Sequence, residues 1–241
     1  MTAVAQPLEA PHVALRDLRV HRGTRDLVRG LNLDIPRGSF VCIIGPSGAG
    51  KTSFLSCLAG LMPSGSGAIT YRCLQQCDHA PLGFQTRMGL VFQHLRLSQN
   101  ASVLTNVLCG ALGHAPWWKT LFGFSRADKS RARALLKDFE LEAYARVPVA
   151  KISGGEKQRT AICRALMQEP EVLLADEPVA SLDARLAHAV LTRFKAETKL
   201  HQRTVFCVLH DPDLVDQFAD VSVRLDKLCP EAWRVDHHHR P

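Results

Sequence analysis

The residues best equipped for chemistry in this chain are Gly45, Pro46, Ser47, Gly48, Ala49, Gly50, Lys51 and Thr52, which together read G-x-x-x-x-G-K-[ST]. Glycines in this pattern let the backbone wrap a polyphosphate and aim its N–H groups inward, and the helix start that follows adds a positive dipole end. Lys51 has the charge and reach for β- and γ-phosphates, and the Thr52 hydroxyl is a hard oxygen donor suited to Mg²⁺. A second group is Asp176 and Glu177, placed directly after the apolar run Val172-Leu173-Leu174-Ala175. Asp176 suits Mg²⁺, held directly or through water, and Glu177 suits a base that faces an attacking water. A third is Ser153-Gly154-Gly155-Glu156, a helix start that can itself receive an anion. Nucleotide binding with hydrolysis is the chemistry these types and spacings imply.

Such groups act only if secondary structure holds them. Phe40-Val41-Cys42-Ile43-Ile44 is a short apolar, β-branched run of buried-strand type. After the glycine loop, Phe54, Leu55, Leu58 and Leu61 fall at helical spacing, which predicts a helix over 51–61. Strand, loop, helix is the order the phosphate-binding motif needs. Residues 13–35 alternate apolar and polar positions with Gly23 and Gly30 as punctuation, predicting antiparallel strands. Residues 63–81 read as turns with short strands, and Met88-Gly89-Leu90-Val91-Phe92 as another buried strand ending at Gln93. Residues 95–152 change to a helical pattern, with Ser125 and Asp128 as a capping box ahead of 131–141. The α/β rhythm then returns: a helix running towards Pro170, a strand over 172–175, a helix over about 185–200 and a strand over 204–209.

Composition narrows the class. The chain has 241 residues, 46% hydrophobic and 22% charged, enough for one large domain with a subdomain. Its formal charge of +7 permits an anionic partner, but the basic residues are spread out rather than clustered, which argues against nucleic acid. Of the eight cysteines, Cys42, Cys57, Cys163 and Cys207 sit in apolar stretches and read as small core residues. Cys73, Cys77 and His79 match no common zinc spacing, and His237, His238 and His239 read as part of a flexible tail. Neither a signal core nor an apolar run of roughly 20 residues is present, so a soluble, intracellular protein is expected.

Taken together, these motifs resemble the ATP-binding subunits of ABC transporters, over about 13–226. The signature stretch is Ile152-Ser153-Gly154-Gly155-Glu156, with glutamate where that family more often has glutamine. The resemblance implies an α/β fold: a phosphate-loop NTPase core with an antiparallel β subdomain, a helical subdomain inserted at about 95–152, and a short tail over 227–241. It implies ATP and Mg²⁺ as ligands. Gln93 would link Mg²⁺ and the nucleophilic water to the helical subdomain, and Asp183, in Ala180-Ser181-Leu182-Asp183, would belong to the loop that faces a second subunit. His210, after Val205-Phe206-Cys207-Val208-Leu209, would contact the γ-phosphate. Where the family carries an adenine-stacking aromatic, this chain has His21 and Arg22, either of which could stack on a purine.

The resemblance further implies a head-to-tail dimer, each ATP lying between one subunit's phosphate loop and the other's Ser153, Gly154 and Gly155. Integral membrane permease subunits would be the partners, with a periplasmic binding protein acting indirectly, at the cytoplasmic face of the inner membrane. Soluble repair or translation ATPases usually carry a coiled-coil insertion or a second cassette, and a small-molecule kinase would leave the Ser-Gly-Gly signature unexplained. Asn106-Val107-Leu108-Cys109-Gly110-Ala111-Leu112-Gly113, Pro116-Trp117-Trp118-Lys119-Thr120, Ala165-Leu166-Met167-Gln168 and the run from Ala175 to Asp183 resemble the ATP-binding subunits of phosphonate importers. That likeness implies phosphonate or phosphite as cargo, the alternative being another small solute or lipoprotein release. Trp117 and Trp118 suit either an interface or packing inside the helical region.

Overall fold

A computed structural model describes residues 11–72, 86–113 and 123–238. Two sheets carry the architecture. β1 (Val13–Arg22), β2 (Arg25–Ile35) and β4 (Ser66–Tyr71) form an antiparallel sheet in the order β2-β1-β4. The second sheet has six strands, β5 (Met88–Val91), β6 (Val172–Ala175), β7 (Thr204–Val208), β3 (Phe40–Ile44), β8 (Val221–Arg224) and β9 (Arg234–His237), in that order. Its pairings are parallel except for β8 with β9. Parallel strands buried on both faces need continuous apolar runs, which Phe40–Ile44, Val172–Ala175 and Thr204–Val208 supply with every residue buried.

Helices cover this sheet on both faces. α1 (Lys51–Leu58) packs with the antiparallel sheet on one side: Phe54, Leu55 and Leu58 join Val41 and Ile43 of β3, Phe206 and Val208 of β7, and Val20, Val28 and Leu31. On the other side α4 (Gly154–Met167) and α5 (Ala184–Leu200) meet Phe40, Cys42, Leu173, Val205 and Cys207, together with α2 (Val103–Leu108) and α3 (Arg126–Asp138). α6 (Pro212–Phe218) closes that face through Val215 and Phe218. Alternate residues of β3 therefore belong to two different cores. Cys42, Cys57, Cys163 and Cys207 are all buried, as small apolar residues in those stretches should be.

Several local expectations shift. α1 stops at Leu58, and Leu61 is 46% exposed beyond its end. Gly30 does not separate strands: it lies inside β2, where the register with β1 slips between the Leu18–Leu31 and Val20–Val28 pairs. Ser125 and Asp128 do form a capping box, and the helix they open begins at Arg126. Residues 227–238 do not form a loose tail. Arg29 N–H donates to Pro230 O at 2.9 Å, Trp233 Nε1 donates to Arg29 O at 3.0 Å, and β9 adds an antiparallel strand to the main sheet. Alternation of Arg234, Val235, Asp236 and His237 over four residues is too short a signal to stand out from a polar terminus. Cys73, Cys77, His79, Trp117, Trp118 and His239 lie outside the described residues. Among the described residues no helix is long and apolar enough to cross a membrane.

Candidate nucleotide-hydrolysing site

Four of the expected groups leave the C-terminal ends of neighbouring parallel strands, where open α/β sheets gather ligands. Residues 45–52 follow β3, Gln93 follows β5, Asp176 and Glu177 follow β6, and His210 follows β7. The loop is shaped by its own sequence. A Cβ on Gly45 (φ 151) would stand 2.5 Å from Leu225 O, and one on Gly50 (φ 96) would stand 2.8 Å from Leu27 Cβ, so neither position accommodates a side chain. Gly50 is also the N-cap of α1 and caps it with no side chain, which leaves the first N–H groups of the helix facing the loop. Lys51 is only 6% exposed, and its Nζ donates to Gly45 O at 2.8 Å and Pro46 O at 3.1 Å. Burial lowers its pKa, against the pull of Glu177 and Asp176.

Asp176 is 6% exposed, and its N–H donates to Val91 O at 2.9 Å, tying the ends of β5 and β6 together. Burial pushes its carboxyl above the ordinary value, with the Thr52 hydroxyl pulling the other way and Glu177 adding to the rise. Its Oδ1 has no hydrogen-bond partner among the described residues. A buried carboxylate oxygen without a hydrogen-bond partner, beside the Thr52 hydroxyl, offers hard oxygen donors that fit Mg²⁺. Glu177 adopts φ 50, a left-handed conformation uncommon for a residue other than glycine. His210 Nε2 lies 2.7 Å from Glu177 Oε1.

Ser153, Gly154, Gly155 and Asp183 sit apart from these strand ends, and Gln93 shares no hydrogen bond with the other groups among the described residues. Gln93 is exposed just past β5. Ser153 N-caps α4 in a full capping box: Glu156 Oε2 accepts from Ser153 N–H at 2.7 Å, and Ser153 Oγ accepts from Glu156 N–H at 3.3 Å. Thus Glu156 keeps the box closed. Gly155 packs beside the loop before α5, where an added Cβ would stand 3.3 Å from Leu182 Cδ2. Asp183 spends its carboxylate on capping α5 through Leu186 N–H at 2.9 Å. Among the described residues no hydrogen bond or ion pair joins Ser153, Gly154 or Gly155 to the phosphate loop. His21 lies against Gly65, where an added Cβ would meet its Nδ1 at 2.6 Å, and Arg22 faces Arg25 across β1 and β2.

One residue escaped the sequence reading. The Arg164 guanidinium, on the helix that Ser153 opens, donates to Leu95 O at 2.8 Å and Arg96 O at 2.7 Å. It therefore ties the loop after Gln93 to α4. Arginine three turns into an amphipathic helix carries no local signal of such a contact, because its partners come from 68 and 69 positions away.

A glycine loop of the phosphate-binding pattern, a buried carboxylate beside it and a carboxylate–imidazole pair at the adjoining strand end fit a phosphate-loop ATPase. The family model for the ABC transporter matches residues 28–180, and the chain belongs to that family as an ABC-type ATPase. The chain is 44% identical over 191 residues to the phosphonates import ATP-binding protein PhnC 1 of Natronomonas pharaonis, covering 79% of each. It is 39% identical over 210 residues to the hypophosphite import ATP-binding protein HtxD of Stutzerimonas stutzeri, covering 86% of this chain and 62% of that protein. The chain thus spans less than two thirds of the length of that relative. Among solved structures it resembles the dimeric ATP-binding cassette MJ0796 in a post-hydrolysis state bound to ADP and Pi. There the TM-score is 0.80 at 28% identity, covering 95% of this chain and 99% of that one.

Proposed function

We propose that this chain is the ATP-hydrolysing subunit of an importer for phosphonates or a closely related phosphorus oxyanion such as phosphite or hypophosphite. For hydrolysis the reading rests on the convergence of residues 45–52, Asp176, Glu177 and His210 at three adjoining strand ends. For cargo it rests on the phosphonate and hypophosphite import proteins at 44% and 39% identity.

In this reading the backbone of 45–50 and the Lys51 ammonium bind the phosphate chain of ATP. The Thr52 hydroxyl and Asp176 carboxylate would hold Mg²⁺, which when bound offsets phosphate charge, and Gln93 would approach it from the end of β5. Glu177 takes a proton from the attacking water at its carboxylate, and His210 holds that carboxylate through Nε2 and meets the γ-phosphate. Water attack then yields ADP and phosphate. Ser153, Gly154, Gly155 and Asp183 serve a second copy of the chain: the α4 start supplies donors to the partner's nucleotide only when the halves close. Closure on ATP and release after hydrolysis would drive permease subunits from the cytoplasmic face of the inner membrane, with a periplasmic binding protein delivering the solute.

The test is growth on a phosphonate, phosphite or hypophosphite as sole phosphorus source, with and without a functional copy. Loss of growth on one of them, restored by the wild-type chain and not by Lys51→Ala, is expected. Equal growth in a host with no redundant uptake system would sink the cargo assignment. Affinity capture should bring down a polytopic membrane protein.

A further inference from the structure

One cation outside the expected set leans on the phosphate loop. Past the end of β8 the chain stays beside the end of β3, with Leu225 N–H donating to Ile44 O at 2.8 Å. The chain then turns tightly, because Asp226 Oδ1 accepts the N–H groups of Leu228 at 2.7 Å and Cys229 at 2.9 Å. Lys227 sits in that turn and points back over the loop: a Cβ placed on Gly48 would be 3.5 Å from its Cε and 3.8 Å from its Nζ. The Lys227 carbonyl accepts a hydrogen bond from the Arg25 guanidinium, so the first residue of β2 fixes the backbone that carries the ammonium.

The charges here are unbalanced. Lys227 is exposed, and neither it nor Arg25 forms an ion pair among the described residues. Asp226, the nearest carboxylate in sequence, is committed to two backbone N–H groups, which hold its pKa below the ordinary value. Arg22 stands directly opposite Arg25, and like charges in that register repel. Lys227 thus brings to the loop a cation that forms no ion pair among the described residues, with Arg25 holding its carbonyl. Since β7 and β8 flank β3 on opposite sides, His210 and Lys227 approach residues 45–52 from opposite sides.

We infer that Lys227 is a second phosphate-binding lysine, supplied by the same subunit, and that Arg25 is its positioning residue. The inference rests on the phosphate-loop reading and deepens it. A nucleoside polyphosphate seated in the loop brings its negative charge to an ammonium whose backbone is already pinned, so little ordering is needed to make the contact.

The test is titration of the full chain with fluorescent ATP and ADP analogues. Lys227→Ala should weaken binding about fivefold, the upper range for an exposed ion pair. Lys227→Arg should bind nearly as wild type, Lys227→Glu more weakly than alanine, and the differences should shrink at high salt. Arg25→Ala should weaken binding by a smaller factor than Lys227→Ala. Because Lys227 is exposed, unchanged melting curves are expected and would separate a lost contact from a lost fold. Unchanged affinity in Lys227→Ala, with Lys51→Ala losing binding, would overturn the inference. Unchanged affinity in Lys51→Ala would instead overturn the phosphate-loop reading beneath it.

Discussion

His210 Nε2 lies 2.7 Å from Glu177 Oε1, although the two residues are 33 positions apart and leave different strands. An ionised carboxylate can only accept, so in that state the contact calls for the imidazole proton on Nε2. Glu177 holds its place in this contact with a left-handed backbone, φ 50.

Glu177→Gln should therefore leave nucleotide binding intact and reduce turnover by roughly 10²–10⁴-fold, the worth of a positioned base. With Mg-ATP it should accumulate as a dimer by size-exclusion chromatography. A variant that stays monomeric and still releases phosphate would remove Glu177 from the base role.

Asp176→Asn separates stability from activity. Burial raises the Asp176 pKa, so its carboxyl favours the fold at low pH and loses that contribution as pH rises through the folded value. Asparagine removes the buried charge: the nucleotide-free variant should melt above wild type at neutral pH, by about 2–4 °C for each kcal/mol relieved. That advantage should vanish in acid, where wild type is protonated, and Mg-dependent turnover should be lost throughout. A lower melting point at neutral pH would contradict the buried-charge account.

Glu156 is half-way to a control on the capping box. Burial would raise its pKa, but the hydrogen bonds from Ser153 hold it below the ordinary value. The box therefore stabilises above the unfolded pKa and weakens as pH falls through the folded one. Glu156→Gln should match wild type at neutral pH and lose less in acid, while Glu156→Ala should cost about 0.5 kcal/mol in chemical denaturation.

Ser153→Arg should spare nucleotide binding by a monomer and block closure and hydrolysis, because no contact among the described residues ties Ser153 to its own phosphate loop. Fluorescent-nucleotide titration at low protein concentration checks the first half, and phosphate release at high concentration the second. Lost binding in the monomer would contradict a role across the dimer.

Much of this was legible because it is local. The glycine loop, the buried strands 40–44 and 172–175 and the Ser125 and Ser153 caps are each written within a few neighbouring residues. What stayed hidden depends on distant partners. The strand Arg234–His237 is polar and short, and only β8 gives it a register. Arg164 and Lys227 carry ordinary surface charge until remote backbone is brought to them. Leu61 keeps helical spacing, yet α1 ends before it because the chain turns at Gly60, whose φ is 66.

The alternation along β3, with Phe40, Cys42 and Ile44 in one apolar cluster and Val41 and Ile43 in the other, makes that strand a wall common to both halves of the molecule. Melting of either half would strip the apolar cover from one face of β3. Amide protons of β3 should accordingly exchange with solvent only in the global unfolding event, setting the slowest protection in the chain. Since the phosphate loop is the direct continuation of that strand, ligand seated there is anchored to the last part of the molecule to come apart.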